Sequence, residues 1–339
     1  MVEKLNGSLN VKTRIEWLDI AKGLGVLLVV IGHLWYDCIF PVINQIIYSF
    51  HMPMFFILSG FVFKKGSSNF SSFVLAKSKR LLLPTFVFFV LGVVGLFFFG
   101  EHSGAVIIRR FFFIDGICPY NDPCWYFITL FQLLIVSYFL NLNKSSFLFK
   151  GIVIVIAFIL GFVLYEFEVY IPFGIGRTVV AMVFFAFGAL LSQGYRENKK
   201  IQNKYLKILM IVGCFALWII CGVVLNEKVS FYFMDLNNFF LFIIAGLCGS
   251  IVFIEICKLL QKSKIKGFFT KTADNSIIII GTHYFLKSIF LKVMASFNLF
   301  KTWQYTLIAL SFSILIVIIY NCLGGYFKKY APAITGDLK

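Results

Sequence analysis

The sequence contains few charged residues and, in particular, few acidic ones. Charged residues make up 14% of the 339 residues and Asp and Glu together number 15, whereas hydrophobic residues make up 60%. A soluble core of this length could not bury so much apolar surface. The scarcity of charge therefore excludes an ordinary soluble globular domain.

The sequence also lacks a polar stretch long enough to form a separate domain. Runs of about 20 predominantly apolar residues recur along the chain, and each is long enough to cross the hydrocarbon layer of a bilayer. We count about ten such spans. They cover residues 18–38, 42–63, 81–99, 124–141, 151–170, 174–193, 206–225, 234–257, 274–297 and 303–327. The pattern predicts an all-α, polytopic integral membrane protein with one membrane domain over 1–339 and no appended soluble domain.

Two other features are missing from the sequence. The first apolar run begins with Asp19 and Lys22 and is not followed by a small-residue cleavage site, so we do not expect a secretory signal. We also find no internal repeat of the inverted type that is common in secondary transporters.

The net charge of +16 is explained by where the basic residues fall. If the N-terminus is cytoplasmic, most of the 31 Lys and Arg lie in connections on the cytoplasmic side. The positive-inside rule therefore predicts that both termini are cytoplasmic. No nucleic-acid partner is needed to account for the charge, and we expect a multi-pass protein of the bacterial cytoplasmic membrane.

The first two spans contain several ionisable residues. Asp19, Lys22 and His33 are in the first span, and His51 is in the second. Ionisable groups at membrane depth are costly and are usually functional. Lys22 and His33 are about 16 Å apart along a helix and within roughly 20° of the same face. His51, on the returning helix, lies within about one turn of the depth of His33.

The types of these residues predict a chemistry. Histidine is the side chain best suited to move protons near neutral pH, and a lysine near the inner mouth suits a phosphate-bearing ligand that arrives from the cytoplasm. The aligned set therefore favours a donor bound from inside and proton chemistry deep in the membrane. The alternative is that each histidine only forms a hydrogen bond with a neighbouring helix.

Three motifs stand out in these two spans: Trp17-Leu18-Asp19-Ile20-Ala21-Lys22-Gly23, Val29-Val30-Ile31-Gly32-His33 and Phe50-His51-Met52-Pro53-Met54-Phe55-Phe56-Ile57-Leu58-Ser59-Gly60-Phe61. They resemble the membrane-bound acyltransferase-3 family, and within it the short, single-domain branch that includes sugar O-acetylases. Weaker similarities follow in the expected order at Arg80 to Pro84, Trp125 to Phe127, Phe184 to Gly188 and Asn275 to His283. Family members place ten residues between a basic residue and a histidine, as Lys22 and His33 do. Arginine is common at the basic position, so a lysine, which lacks arginine's fork of donors, is a departure.

The resemblance implies transfer of an acyl group, most often acetyl from acetyl-CoA, to a sugar hydroxyl of an envelope glycan or a lipid-linked sugar. Acetyl-CoA would be a donor substrate rather than a bound cofactor, and no metal is expected. His33 would be the general base or a transient acyl carrier. His51 would orient His33 or stabilise charge on the carbonyl oxygen. The sequence leaves these alternatives open.

Further residues are candidates for binding the two substrates. On the donor side they are Lys22, Asp19, Arg80 and His283, and on the acceptor side they are Asp37, Asp122, Trp125 and Arg177. Each also has a structural explanation, such as membrane anchoring for Arg80, the interfacial aromatic belt for Trp125 and an ion pair with Glu166 or Glu168 for Arg177. Cys118 and Cys124 form either a short disulfide or two free thiols.

Two other functions compete with acyl transfer. The chain could be a transporter or flippase of glycan or lipid intermediates in which the histidines form a proton relay, or a non-catalytic membrane scaffold. Uptake of label from acetyl-CoA separates the enzyme from both. The sequence does not specify the acyl group, the acceptor sugar or the oligomeric state.

Overall fold

The structure is a computed structural model that describes residues 14–35, 38–66, 69–99, 104–114, 116, 121–197 and 202–337. Ten helical segments among these residues are long and apolar enough to cross a membrane. The described residues form no β-strand, and their single isolated β-bridge joins Ser230 to Asp235. The predicted all-α architecture with about ten membrane spans is confirmed.

Fourteen α-helices make up the described part of the chain. In chain order they are α1 (Glu16–Leu34), α2 (Pro41–Val62), α3 (Phe70–Lys77), α4 (Leu83–Phe99), α5 (Gly104–Arg109), α6 (Trp125–Phe139), α7 (Phe147–Glu166), α8 (Ile175–Arg196), α9 (Lys204–Ile219), α10 (Phe239–Leu260), α11 (Lys266–Asp274), α12 (Ser276–Ser296), α13 (Trp303–Tyr330) and α14 (Pro332–Thr335). A π-helical turn at Ser78–Leu82 joins α3 and α4 into one span.

The helices that carry Lys22, His33 and His51 lie at the centre of the bundle. α1, α2, α8 and α10 are buried along most of their length, whereas α7 and α9 are mostly exposed and so face the lipid. α1 contacts α2, α10, α11, α12 and α13. Lys22 and His33 are therefore carried by a helix that is surrounded by other helices.

Two helix ends differ from the predicted span limits because local hydrogen bonds set them. α1 ends at Leu34 rather than near residue 38, since the Trp35 indole donates to the Phe40 carbonyl at 2.9 Å and closes the connection to α2. The third span begins at Phe70 rather than near residue 81. The side chain of Asn69 accepts a hydrogen bond from the backbone N–H of Ser72 at 2.9 Å and caps this helix.

Glycines of α2 and α8 bring these two membrane-spanning helices into close contact. A Cβ atom added at Gly60 would lie 1.9 Å from the Phe185 carbonyl oxygen, and one added at Gly188 would lie 2.0 Å from the Ile57 carbonyl oxygen. Small residues allow helix backbones in membranes to approach closely. The α2–α8 crossing therefore depends on glycine at both positions.

We predict that Gly60→Ala and Gly188→Ala each lower the thermal unfolding midpoint of the purified protein in detergent. Forcing a methyl group into a packed contact costs roughly 1–3 kcal/mol. Gly213→Ala in α9 is the matched control, because a Cβ there meets no atom within 4 Å. An unchanged midpoint for Gly60→Ala would contradict the close backbone contact.

Candidate active site

A cavity of about 540 Å³ lies at the end of α1 that carries His33. We call it the His33 cavity. Its walls come from α1, α2, the start of α6, the loop between α9 and α10, and α12. Its polar and aromatic lining includes His33, Tyr48, His51, Asp122, Trp125, Lys228, Tyr232, Asp235, Tyr284 and Lys287.

The structure brings His33 and His51 into this one cavity. The Tyr48 hydroxyl lies 3.0 Å from Nδ1 of His33, within hydrogen-bonding distance. The Tyr48 ring also packs edge-on against His51, with ring centroids 5.0 Å apart. Tyr48 therefore links the two imidazoles that the helical spacing places at similar depth.

The hydrogen bonds of His51 and His283 fix which ring nitrogen of each neutral imidazole carries the proton. His51 donates from Nδ1 to the Ile47 carbonyl at 2.8 Å, and His283 donates from Nδ1 to the Ile279 carbonyl at 2.8 Å. A neutral imidazole that donates from Nδ1 keeps its lone pair on Nε2. Each Nε2 can therefore accept a proton or a hydrogen bond.

His283 lies beside His33. Their ring centroids are 5.2 Å apart with the planes tilted by 37°. His283 is 1% exposed, and its Nε2 has no hydrogen-bond partner among the described residues. The sequence predicts His283 either in the donor channel or as a packed, hydrogen-bonded residue. In the structure α12 packs against α1, which places the His283 ring beside that of His33.

Two lysines and two carboxylates, those of Asp122 and Asp235, also line the cavity. The Lys228 ammonium lies 5.3 Å from the centroid of the Tyr48 ring, and the Lys287 ammonium lies 4.0 Å from that of Tyr284. The Asp122 carboxylate accepts a hydrogen bond from the Tyr284 hydroxyl. Charged groups of both signs thus line the cavity that holds the histidines.

Sequence reasoning missed several of these groups. Tyr48 precedes His51 by one helical turn, and Lys287 follows His283 by one turn, so the i, i+3 and i, i+4 spacing on a helix was a usable signal. Lys228 offered no such signal. It lies in the loop between α9 and α10, which reaches the cavity only through the fold.

That loop, residues 225–238, is held by hydrogen bonds from polar side chains. Gln45 of α2 donates to the Asn226 carbonyl at 2.6 Å. The Asn226 side chain in turn donates to the Leu236 carbonyl at 3.1 Å and accepts from the Asn238 N–H at 3.2 Å. The loop therefore forms a fixed wall of the cavity.

The predicted acceptor-side residues occupy different positions. Asp122 and Trp125 line the His33 cavity. Arg177 lies behind that wall and is 4% exposed, with its guanidinium carbon 5.3 Å from the Trp125 ring centroid and 5.1 Å from that of Tyr232. Asp37, and Cys118 of the suggested disulfide, lie outside the described residues.

The opposite end of α1 carries cations. Lys22 is partly buried and makes no hydrogen bond or ion pair with any residue that the structure describes. The charged groups that interact electrostatically with the Lys22 ammonium are Arg80, Asp19, Asp274 and Lys328. Arg80 is exposed and likewise has no ion-pair partner in the described part of the chain. Two cations are therefore available to an anionic ligand.

Asp19 is engaged by a different residue. It accepts a hydrogen bond from Arg14, which also donates to Asp274 at 2.7 Å. These bonds, the one to Asp19 above all, raise the pKa of the Arg14 guanidinium above its ordinary value. The ion pairs tie the start of α1 to α11 and leave Lys22 out of the network.

The stretch of α1 between its two ends is packed. The His33 cavity reaches as far as Val29, whereas Val26 is fully buried. Met54 of α2, also fully buried, fills the space beside Gly25, where a Cβ atom would lie 2.5 Å from the Met54 Cε. Side chains of α1 and α2 thus separate the Lys22 end from the cavity.

Comparison with known proteins identifies the family. A family model described as an acyltransferase domain matches residues 15–322, nearly the whole chain, including every element that lines the His33 cavity. The curated proteins and the solved structures yield no match. The chain belongs to the acyltransferase-3 family and is a multi-pass membrane acyltransferase.

Proposed function

We propose that this acyltransferase moves an acetyl group from cytoplasmic acetyl-CoA to a sugar hydroxyl of a cell-envelope or surface polysaccharide, or of its lipid-linked precursor, in the bacterial cytoplasmic membrane. One observation carries the proposal. At one end α1 presents Lys22, a cation with no ion-pair partner in the described part of the chain. At the other end, about 16 Å away along the helix, it presents the His33–Tyr48 pair in a cavity.

The donor would bind at the Lys22 end, which faces the cytoplasm in the orientation that the positive-inside rule predicts. Lys22 and Arg80 can form charge-assisted hydrogen bonds with the phosphates of CoA. In this arrangement Asp19 does not touch the donor. It holds Arg14 and so steadies the start of α1 beneath the phosphate site.

The pantetheine arm of acetyl-CoA would then extend along α1 and carry the acetyl group towards His33. Val26 and Met54 are packed across that route. Methionine is unbranched and has three rotatable bonds, so Met54 is the side chain that can swing aside at least cost. Its movement would connect the donor end with the His33 cavity.

His33 is assigned as the general base. When its Nδ1–H donates to the Tyr48 oxygen, Nε2 carries the lone pair and takes the proton of the acceptor hydroxyl. The hydroxyl oxygen bonds to the thioester carbon, the carbon–sulfur bond breaks, and the His33 imidazolium returns the proton to the departing sulfur. Tyr48 acts as the third group that orients the base.

The remaining cavity residues have supporting roles. Neutral His51 keeps Nε2 as an acceptor and can hold the acceptor hydroxyl. Lys228 and Lys287 supply the positive charge that stabilises the developing oxyanion. Asp122 accepts hydrogen bonds from sugar hydroxyls, and Trp125 offers a ring on which a sugar can lie.

We predict that His33→Ala lowers transfer of radiolabelled acetyl from acetyl-CoA to envelope glycan by at least about 100-fold, the usual contribution of a general base. The assay uses membranes that contain equal amounts of folded wild-type or variant protein. Label that persists in His33→Ala would refute the base assignment. If folded wild-type protein produces no labelled glycan, the result would favour the transporter alternative.

We predict that Tyr48→Phe lowers kcat about tenfold or more, since it keeps the ring contact with His51 but removes the oxygen that orients His33. Tyr305→Phe is the matched control. Tyr305 is also buried and donates to the Leu34 carbonyl of α1 at 3.1 Å, yet it does not line the cavity. Equal losses in the two variants would argue against a role for Tyr48 in orienting the base.

We predict that Lys22→Ala raises the KM for acetyl-CoA at least about tenfold and leaves the KM for the acceptor within twofold, because a hydrogen bond to a charged group contributes roughly 1.5–3 kcal/mol. Lys22→Arg should restore donor binding, as arginine keeps the charge. Lys262→Ala, at an inner connection, controls for general loss of positive charge. A rise in the acceptor KM alone would place the donor elsewhere.

A further inference from the structure

A second cavity, of about 720 Å³, adjoins the His33 cavity. We call it the Arg177 cavity. It is formed by the end of α7, the connection from α7 to α8, the start of α8 and the α9–α10 loop. Tyr232, Phe233 and Asp235 of that loop line both cavities. The two spaces are therefore neighbours on either side of one loop.

The shared wall is anchored by Arg177. Its guanidinium lies against the rings of Trp125 and Tyr232 and donates to the Tyr232 carbonyl at 3.1 Å. Gly174 has φ of +68°, and a Cβ atom there would lie 2.1 Å from Nη2 of Arg177. The absence of a side chain at Gly174 leaves room for the Arg177 guanidinium. Arg177 therefore lines the Arg177 cavity and also holds Tyr232 in the loop that lines both cavities.

The lining of the Arg177 cavity combines aromatic rings with carboxylates. The aromatic residues are Tyr165, Tyr170, Tyr232 and Phe233, and the acidic ones are Glu166, Glu168 and Asp235. The three acidic residues are exposed. Aromatic faces and carboxylate oxygens together suit a polyhydroxylated ring, which stacks on the first and donates hydrogen bonds to the second.

The charge of the cavity restricts the class of sugar that can bind there. Three carboxylates and one arginine line the cavity, and the arginine packs against the rings of Trp125 and Tyr232. Like charges repel, so an acidic sugar unit is disfavoured, whereas a neutral or amino-bearing one is accepted. An interfacial aromatic belt would account for Tyr170, but it would not require a carboxylate-lined cavity that shares a wall with the His33 cavity.

We propose that the Arg177 cavity binds a second sugar unit of the acceptor chain, neutral or amino-bearing, next to the unit whose hydroxyl is acetylated in the His33 cavity. This inference rests on the proposed sugar acceptor. It makes the substrate a chain of at least two sugar units rather than a single sugar. The volume of the cavity is within the range of about 300–1,000 Å³ typical of small-ligand sites.

The test uses the glycan that becomes labelled in membranes, isolated and cut into fragments of one to four sugar units. The purified wild-type protein should use fragments of two or more units with a kcat/KM at least about tenfold above that of the single unit, the effect of roughly 1.4 kcal/mol of added binding. Tyr170→Ala should lower the ratio of the kcat/KM for the longer fragments to that for the single unit about five- to tenfold. Phe167→Ala is the control, since Phe167 is 73% exposed beside the cavity but does not line it.

A second comparison tests whether the carboxylates of the Arg177 cavity exclude an acidic sugar unit. Fragments whose second unit has been oxidised to a uronic acid should be poor acceptors for the wild-type protein, and Glu166→Gln combined with Glu168→Gln should improve their use. Equal kcat/KM values for all fragment lengths, or an unchanged ratio in Tyr170→Ala, would overturn the inference while acetyl transfer itself stands. A complete lack of labelled product would instead refute the proposed function, and the inference with it.

Discussion

A polar side chain inside the hydrocarbon layer has to find its hydrogen-bond partner within the bundle, and the arrangement of the site follows from this constraint. His51 and His283 meet it with the carbonyl one turn earlier on their own helices. His33 meets it with the hydroxyl of Tyr48 on the neighbouring helix. The same bonds fix the orientation of each ring.

Close helix packing keeps these partners in register. Glycines at the α2–α8 crossing let backbone touch backbone, and Gly23 does the same between α1 and α11, where an added Cβ would lie 1.9 Å from the Phe269 carbonyl oxygen. Helices that meet this closely cannot slide without a clash. α1 is consequently held at both ends, with Lys22 near α11 and His33 facing α2 and α12.

Much of this arrangement was predictable from local sequence, and the remainder depends on the tertiary fold. The ten spans, and the meeting of His33 with His51, follow from apolar runs and from helical rise and rotation, which are properties of single helices. The placement of His283 beside His33 depends on how α12 packs against α1, and single-helix geometry does not determine that. The position of Lys228 in the cavity could not be predicted from the sequence, because the loop between α9 and α10 reaches the cavity only in the folded bundle.

In the proposed mechanism, α1 links a phosphate site at Lys22 to the reacting group at His33. The most direct measurement is a cryo-electron microscopy structure of the protein in a lipid nanodisc with CoA bound. We expect density for the CoA phosphates at Lys22 and Arg80 and for the thiol arm entering the His33 cavity past a displaced Met54. Phosphates bound instead at Lys228 and Lys287, with none at Lys22, would contradict delivery of the donor along α1.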